Sequence, residues 1–203
     1  MSIIDLITQI LGNLKSQSTK EMVDHCSEEF EPTESFEPAS FGPIDKREAD
    51  ILAKLYPPFA EKVLQVLERA RTEGFSIYIF EGMRTIERQA ELYAKGRDIK
   101  GNVINKKLVV TNALPGTSFH NYGLAVDLVF KVDGEWSWDS KLPWKRIGEI
   151  SREIGLEWAG TWLKFSEMPH HQISLPYITW RDLKKWYDLN GLANVWKEVG
   201  TRI

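Results

Sequence analysis

The chain has 203 residues, of which 42% are hydrophobic and 27% charged, and its formal net charge is −3. This length and composition are typical of one globular domain with appendages. The small net charge excludes the strongly basic surface of a nucleic-acid-binding protein, and no apolar run approaches the ~20 residues that would predict membrane insertion. A single cysteine excludes an intrachain disulfide.

The first 43 residues predict two segments that precede the domain. Residues 1–26 contain an amphipathic helix, because isoleucines and leucines recur at helical spacing between positions 3 and 14. Residues 27–43 alternate glutamates with prolines, which predicts an extended acidic linker. The sequence leaves open whether the helix packs on the domain, self-associates or docks to a partner. The N-terminus lacks the basic segment and cleavage site of a Sec signal peptide, which predicts synthesis in the cytoplasm.

From residue 44 the pattern changes to helices and short strands. Helices are predicted over 45–56, 59–73, 86–95 and 144–154, and strands over 75–80, 124–130 and 170–173. Asp133-Gly134 predicts a hairpin turn after the second strand. Because helices precede a small sheet built from hairpins, the predicted fold class is α+β, with helices packed on a mainly antiparallel sheet.

The last segment of the chain is again helical. The spacing predicts a helix from Thr179 to Asn190 that stops at Gly191, with a short helix after it. Its amphipathic pattern indicates that residues 179–203 are a C-terminal extension packed on a domain that covers residues 44–178.

A polar cluster spans residues 118–127, Ser-Phe-His-Asn-Tyr-Gly-Leu-Ala-Val-Asp. It places His120 seven positions before Asp127, and Asp127 falls inside an apolar strand. An unpaired carboxylate in such a strand is costly to bury, and a divalent cation is one of the few partners that would offset this cost. The alternative is a loop histidine and a strand aspartate that pairs with a surface cation.

A second polar cluster follows at residues 167–171, Glu-Met-Pro-His-His. Neighbouring residues on a strand face opposite sides, so only one of His170 and His171 can readily join a metal site. The spacing leaves this choice open. Two imidazoles and one carboxylate form the three-ligand set of a catalytic zinc site, and a nearby glutamate that does not bind the metal serves as the proton shuttle. The residues therefore favour a zinc hydrolase with Glu167 as its acid/base.

The two clusters together resemble a known family. The pattern Ser118-x-His120-x-x-Gly123-x-Ala125-x-Asp127, followed by Glu167-x-Pro169-His170, is similar to the zinc-dependent D-alanyl-D-alanine carboxypeptidase/dipeptidase group of peptidases. The L-alanyl-D-glutamate endopeptidase branch, found in phage endolysins and bacterial cell-wall hydrolases, is the most similar. Segments 82–97 and 155–162 also resemble that branch.

The resemblance implies a ligand set and two catalytic residues. His120, Asp127 and His170 would bind a single Zn²⁺ ion in a cleft, and Glu167 would be the catalytic acid/base. Arg84 would lie near the substrate carbonyl or the developing oxyanion. His171 stands where the branch usually has an aromatic residue, which implies a supporting or structural role.

Three further residues are candidates for substrate binding. Ser118 would hydrogen-bond the substrate or orient His120, with a plain loop role as the alternative. Tyr122 and Trp162 would wall the cleft, with core packing as the alternative. The chain has eight tryptophans, which serve either as core or as a platform for stacking on sugar rings.

The resemblance implies a peptidoglycan hydrolase that cleaves a bond of the wall stem peptide, L-Ala-D-Glu, with zinc-activated water. Such an enzyme would act on the cell wall after release from the cytoplasm. Two rival functions remain: a D-Ala-D-Ala carboxypeptidase or dipeptidase of the same fold, and a non-catalytic wall-binding or virion structural module in which zinc is a folding staple. Thr161 stands where the branch tends to have aspartate, which leaves the peptide specificity open.

Overall fold

The computed structural model describes residues 44–203, so the predicted N-terminal helix and acidic linker lie outside the described residues. The helices are α1 (Lys46–Leu52), α2 (Pro57–Thr72), α3 (Ile86–Ala94), α4 (Trp144–Glu153) and α5 (Trp180–Gly200). The strands are β1 (Ile77–Glu81), β2 (Ala125–Val132), β3 (Glu135–Ser137), β4 (Leu156–Trp158) and β5 (His170–Ile173). The predicted α+β class is confirmed.

The five strands form one antiparallel sheet with β2 near its centre. The order is β1-β2-β5-β4, and β3 pairs with the far end of β2. In this register Asp127 of β2 lies opposite Glu81 of β1 on one side and opposite His170 of β5 on the other. The sheet therefore brings together three polar residues that are distant along the chain.

The first two helices begin at residues that favour a helix N-terminus. Asp45 caps α1, because its side chain accepts a hydrogen bond from the Glu48 amide at 2.7 Å. Helix α2 begins at Pro57, two residues before the predicted start. The first turn of a helix has no acceptor for its N–H groups, so proline is favourable there.

The hydrophobic core lies between the helices and one face of the sheet. Val126, Leu128 and Phe130 alternate along β2 and belong to this core. Because successive side chains of a strand point to opposite faces, Asp127 points to the other face. That face carries the cleft described below.

Helix α5 packs on this hydrophobic core through Leu183, Val195 and Val199, which are fully buried. It is kinked at Asn190 and Gly191, where the backbone leaves the helical region. In residues 44–203 no helix is both long and apolar enough to cross a membrane.

Candidate metal centre and active site

A short 3₁₀ turn, Phe119–Tyr122, presents His120 to the cleft. Ser118 caps this turn, because its hydroxyl accepts a hydrogen bond from the His120 amide at 3.3 Å. The turn ends at Gly123, where φ is +68° and an added Cβ would lie 2.9 Å from the Lys54 carbonyl oxygen. Only glycine combines this left-handed conformation with such a close approach, so Gly123 sets the direction in which the chain enters β2.

Three donor atoms converge at the sheet edge of the cleft. Nε2 of His120 lies 3.1 Å from Nδ1 of His170. Oδ1 of Asp127 lies 3.3 Å from the first nitrogen and 3.4 Å from the second. The predicted ligands His120, Asp127 and His170 are therefore brought to one point.

Hydrogen bonds on the outer side of each imidazole fix which nitrogen carries the proton. Nδ1 of His120 lies 2.7 Å from the Gly82 carbonyl oxygen, and Nε2 of His170 lies 3.1 Å from Oε1 of Gln172. Because these partners are acceptors, the outer nitrogens donate, and in the neutral imidazoles that bind a metal the inner nitrogens present lone pairs. Two lone pairs and a carboxylate oxygen then face one another, an arrangement that a cation stabilises.

The donor triangle fits a zinc ion in size as well as in chemistry. Three ligands bound at about 2.0–2.1 Å to a tetrahedral zinc ion are separated from one another by about 3.3–3.4 Å. The observed separations of 3.1, 3.3 and 3.4 Å match this triangle. The oxygen and imidazole nitrogen donors are also those of catalytic zinc sites.

The charges of the site are strongly coupled. Burial acts to raise the pKa of Asp127, but His120 and His170 outweigh it and hold this pKa well below its usual value. Burial lowers the pKa of His120. Burial also acts to lower the pKa of His170, but the hydrogen bond to Asp127 and the charges of Asp127 and Glu167 raise it.

Glu167 lies beside the donor triangle without being part of it. Its Oε2 is 3.9 Å from Nδ1 of His170. Burial raises the pKa of Glu167 above its ordinary value. Trp158 holds the segment in place by donating from its indole nitrogen to the Met168 carbonyl at 2.8 Å. The carboxylate is thus positioned to exchange protons with a molecule bound at the triangle.

Arg84 is buried and supports Asp127 from behind. It donates to Oδ2 of Asp127 at 2.9 Å, to Oε1 of Gln89 at 2.9 Å and twice to Oε2 of Glu81. Four of its five N–H bonds are engaged in this way, and the remaining hydrogen is on Nη1. The family resemblance implied that Arg84 lies near the substrate. It did not reveal the hydrogen bond from Arg84 to Asp127.

The sequence analysis also did not identify two residues that support His170 on the side away from the donor triangle, Gln172 and Glu157. Gln172 accepts from His170 and donates from Nε2 to Oε2 of Glu157 at 2.9 Å. Trp162 donates to the other oxygen of Glu157 at 2.6 Å. Glu157 can only accept, so it fixes the orientation of the Gln172 amide and thereby that of the His170 ring. The signal was present: Gln172 lies two positions after His170 on a strand and so shares its face.

The site opens into a cleft of about 1010 Å³. The three donor residues, Glu167, Arg84, Ser118 and Trp162 all line it. Tyr122 does not: its ring is buried against Tyr187, and its hydroxyl donates to the Gly116 carbonyl at 2.6 Å. Tyr122 therefore packs in the core, because the turn that presents His120 directs the Tyr122 side chain away from the cleft.

His171 lies on the opposite face of β5 from His170. It is fully buried, and neither ring nitrogen has a hydrogen-bond partner within residues 44–203. Burial lowers its pKa to about 3. The strand register that the spacing left open therefore directs His170 to the donor triangle and His171 to the core.

The chain matches characterised proteins in sequence. The family model described as D-alanyl-D-alanine carboxypeptidase (VanY) matches residues 53–180. The peptidoglycan L-alanyl-D-glutamate endopeptidase CwlK of Bacillus subtilis (strain 168) is 36% identical over 142 residues, which cover 66% of this chain and 73% of that protein.

Solved structures also match parts of the chain. The L-Ala D-Glu endopeptidase ChiX of Serratia marcescens has a TM-score of 0.49 and 22% identity, over 64% of this chain and 88% of that chain. The vancomycin resistance D,D-pentapeptidase VanY from a VanB-type cassette, solved in complex with Zn(II), has a TM-score of 0.43 and 23% identity, over 68% of this chain and 81% of that chain. Because the family model spans more than half of the sequence, the chain belongs to the D-alanyl-D-alanine carboxypeptidase (VanY) family and is a peptidase.

Proposed function

We propose that this protein is a zinc-dependent peptidoglycan endopeptidase that hydrolyses the L-Ala–D-Glu bond of the wall stem peptide. The observation that carries the proposal is the convergence of His120, Asp127 and His170 on one point with Glu167 beside it. The similarity to CwlK, whose name specifies this bond, supports the choice of substrate. Because the family includes peptidases that cut other bonds, the identity of the cleaved bond most needs testing.

The inner atoms of the triangle would hold the metal: Nε2 of His120, Nδ1 of His170 and Oδ1 of Asp127. When bound in such a site, zinc makes water acidic enough to ionise near neutral pH and polarises a carbonyl oxygen. Gly82 and Gln172 hold the two imidazole rings in the required tautomers. Arg84 holds the outer oxygen of Asp127, which keeps the inner oxygen directed at the ion.

Glu167 would carry the proton through the reaction. Its carboxylate accepts a proton from the water that attacks the carbonyl carbon of L-Ala. It then donates this proton to the nitrogen of D-Glu as the amide bond breaks, so that one carboxylic acid and one amine are released. A shuttle of this kind typically contributes about 10²–10⁴-fold to the rate.

Two other cleft residues would act on the substrate. The remaining Nη1 hydrogen of Arg84 would stabilise the negative charge that develops on the carbonyl oxygen, and loss of such a donor typically costs about 10²–10³ in rate. Ser118 and Trp162 line the cleft and would position the stem peptide. This assigns Arg84 a double task, one toward Asp127 and one toward the substrate.

The test is digestion of purified peptidoglycan followed by mass spectrometry of the products. The proposal expects new N-terminal D-Glu, formation of which stops when a chelator removes the metal. Release of free D-Ala would instead establish the carboxypeptidase, and an absence of any product would favour the non-catalytic module.

The variant Glu167→Gln isolates the proton shuttle. It keeps the shape of the side chain and removes its basicity, so it should bind one zinc ion per chain and lose about 10²–10⁴-fold in rate. Wild-type activity in this variant would contradict the role of Glu167.

A further inference from the structure

Two aromatic side chains, Phe80 and Trp138, lie at the rim of the cleft and stay partly exposed although they pack on each other. Their rings meet edge to face with centroids 4.8 Å apart. Even so, 40% of Phe80 and 46% of Trp138 remain accessible. Both residues line the same cleft as the donor triangle.

Trp138 is half exposed, but its ring also packs on a buried neighbour. Its indole stacks on that of the buried Trp144, with an interplanar angle of 7° and centroids 6.5 Å apart. The turn after it is closed by bonds to the Asp139 carbonyl oxygen, from the Leu142 amide at 3.1 Å and from the Trp144 indole at 2.9 Å. An aromatic ring fixed in this way loses little conformational entropy when a ligand packs on it.

The rim lies next to the reacting groups along the strand. Phe80 immediately precedes Glu81, which holds Arg84 and lies opposite Asp127 in the sheet. In peptidoglycan the L-Ala of the stem is joined to the lactyl group of a muramic acid sugar. Since one residue spans only about 3.6 Å, a stem cut after L-Ala must place this sugar close to the cut bond.

We propose that Phe80 and Trp138 form a subsite for the N-acetylated amino sugar that precedes the stem peptide. The apolar face of a pyranose ring packs on an uncharged aromatic surface, and Ser140, which also lines the cleft, offers a hydroxyl to the polar groups of the sugar. The proposal rests on the proposed function, because only cleavage of the stem near its sugar end brings this ring to the rim.

Trp136, which lies on β3 two residues before Trp138, provides a matched control. Trp136 is 40% exposed but does not line the cleft. Its indole contacts two cations instead, with Arg47 at 5.2 Å and Lys131 at 5.5 Å from the ring centroid. Trp136 has the same side chain as Trp138 and a similar exposed fraction, but it lies outside the cleft.

The experiment compares two soluble substrates that differ only in the sugar. One is N-acetylmuramyl-L-Ala-D-Glu-L-Lys, and the other is the same tripeptide with an acetyl group in place of the muramyl group. We expect the zinc-loaded wild-type enzyme to show a kcat/KM about tenfold higher on the muramyl substrate. In Trp138→Ala the ratio should fall toward one, while Trp138→Phe and the control Trp136→Ala should retain a clear preference.

Each outcome decides the proposal. Equal kcat/KM values for the two substrates in the wild type would overturn the sugar subsite and leave the proposed function standing. An equal loss on both substrates in Trp138→Ala, with the ratio unchanged, would show that Trp138 only supports the fold. If neither substrate is cut at the L-Ala–D-Glu bond, the proposed function fails and the sugar subsite fails with it.

Discussion

Nε2 of His120 and Nδ1 of His170 lie 3.1 Å apart, although the two residues are separated by 50 positions in the sequence. Each ring donates its outer N–H to an oxygen, so the two inner lone pairs face each other. Similar charge distributions repel, and a cation bound between the rings and Asp127 would remove this repulsion. The fold therefore preforms a donor triangle of the size that a zinc ion requires, and two of its three donors, Asp127 and His170, lie on paired strands.

The adjacent pair His170 and His171 tests this site directly. We expect His170→Ala to lose stoichiometric zinc, because it removes one of three donors. His171→Phe should retain one zinc per chain, because His171 points into the core and contributes no donor. Metal content measured after gel filtration checks both variants. Equal zinc content in His170→Ala and the wild type would contradict the donor set.

The hydrogen bonds behind His170 predict a graded effect on metal affinity. Gln172→Ala removes the acceptor that orients the ring, so zinc affinity should fall by about 10–100-fold. Gln172→Glu should also weaken binding, because the new carboxylate would face Glu157 at the present 2.9 Å contact. Competition with a chelator of known zinc affinity measures both effects, and the exposed Gln65→Ala serves as a control. Unchanged affinity in Gln172→Ala would show that packing alone orients His170.

Much of the architecture could be predicted because it depends on local patterns. The hairpin at Asp133-Gly134 follows from its turn residues, and the strand predicted over residues 75–80 follows from its β-branched and aromatic residues; the structure has both. The choice between His170 and His171 depends instead on strand register. Register is set by the pairing of β5 with β2 and β4, which spacing along one chain does not reveal.

Buried polar pairs could not be predicted from the sequence, for a related reason. In the sequence, nothing distinguishes Glu48 and Arg71 from the other charged residues of two helices. In the structure Nη2 of Arg71 lies 2.8 Å from both oxygens of Glu48, and both residues are buried. Glu48 also accepts from the Ile79 amide at 3.0 Å. The pair thus joins α1, α2 and β1 through contacts that only the tertiary fold creates.

This buried pair predicts a non-additive stability change. Glu48→Leu should lower the free energy of unfolding by about 3–5 kcal/mol, because it leaves the Arg71 charge buried without its partner. The double variant Glu48→Leu/Arg71→Met should lose less than either single variant, since it buries no unpaired charge. Urea denaturation of the four proteins in the cycle measures the coupling. Additive losses would show that the two charges do not interact.

Helix α4 predicts opposite outcomes for two substitutions to alanine. An added Cβ at Gly148 would lie 2.1 Å from the Trp158 ring, and one added at Gly160 would also lie 2.1 Å from that ring. Trp158 in turn holds the Met168 carbonyl next to Glu167. Three residues after Gly148, Ser151 is fully buried, and its hydroxyl has no partner in the described part of the chain.

Alanine favours a helix over glycine by about 1 kcal/mol, but the overlap with Trp158 should outweigh this gain. We expect Gly148→Ala to lower the free energy of unfolding by about 1–3 kcal/mol, as overpacked cores do. It should also reduce peptidase activity, because the indole that positions the Glu167 segment must move. Ser151→Ala should be neutral or stabilising, because it removes a buried hydroxyl without a partner. Denaturant midpoints and kcat/KM of the two variants decide the matter, and a Gly148→Ala protein as stable and active as the wild type would contradict the packing of Trp158 against α4.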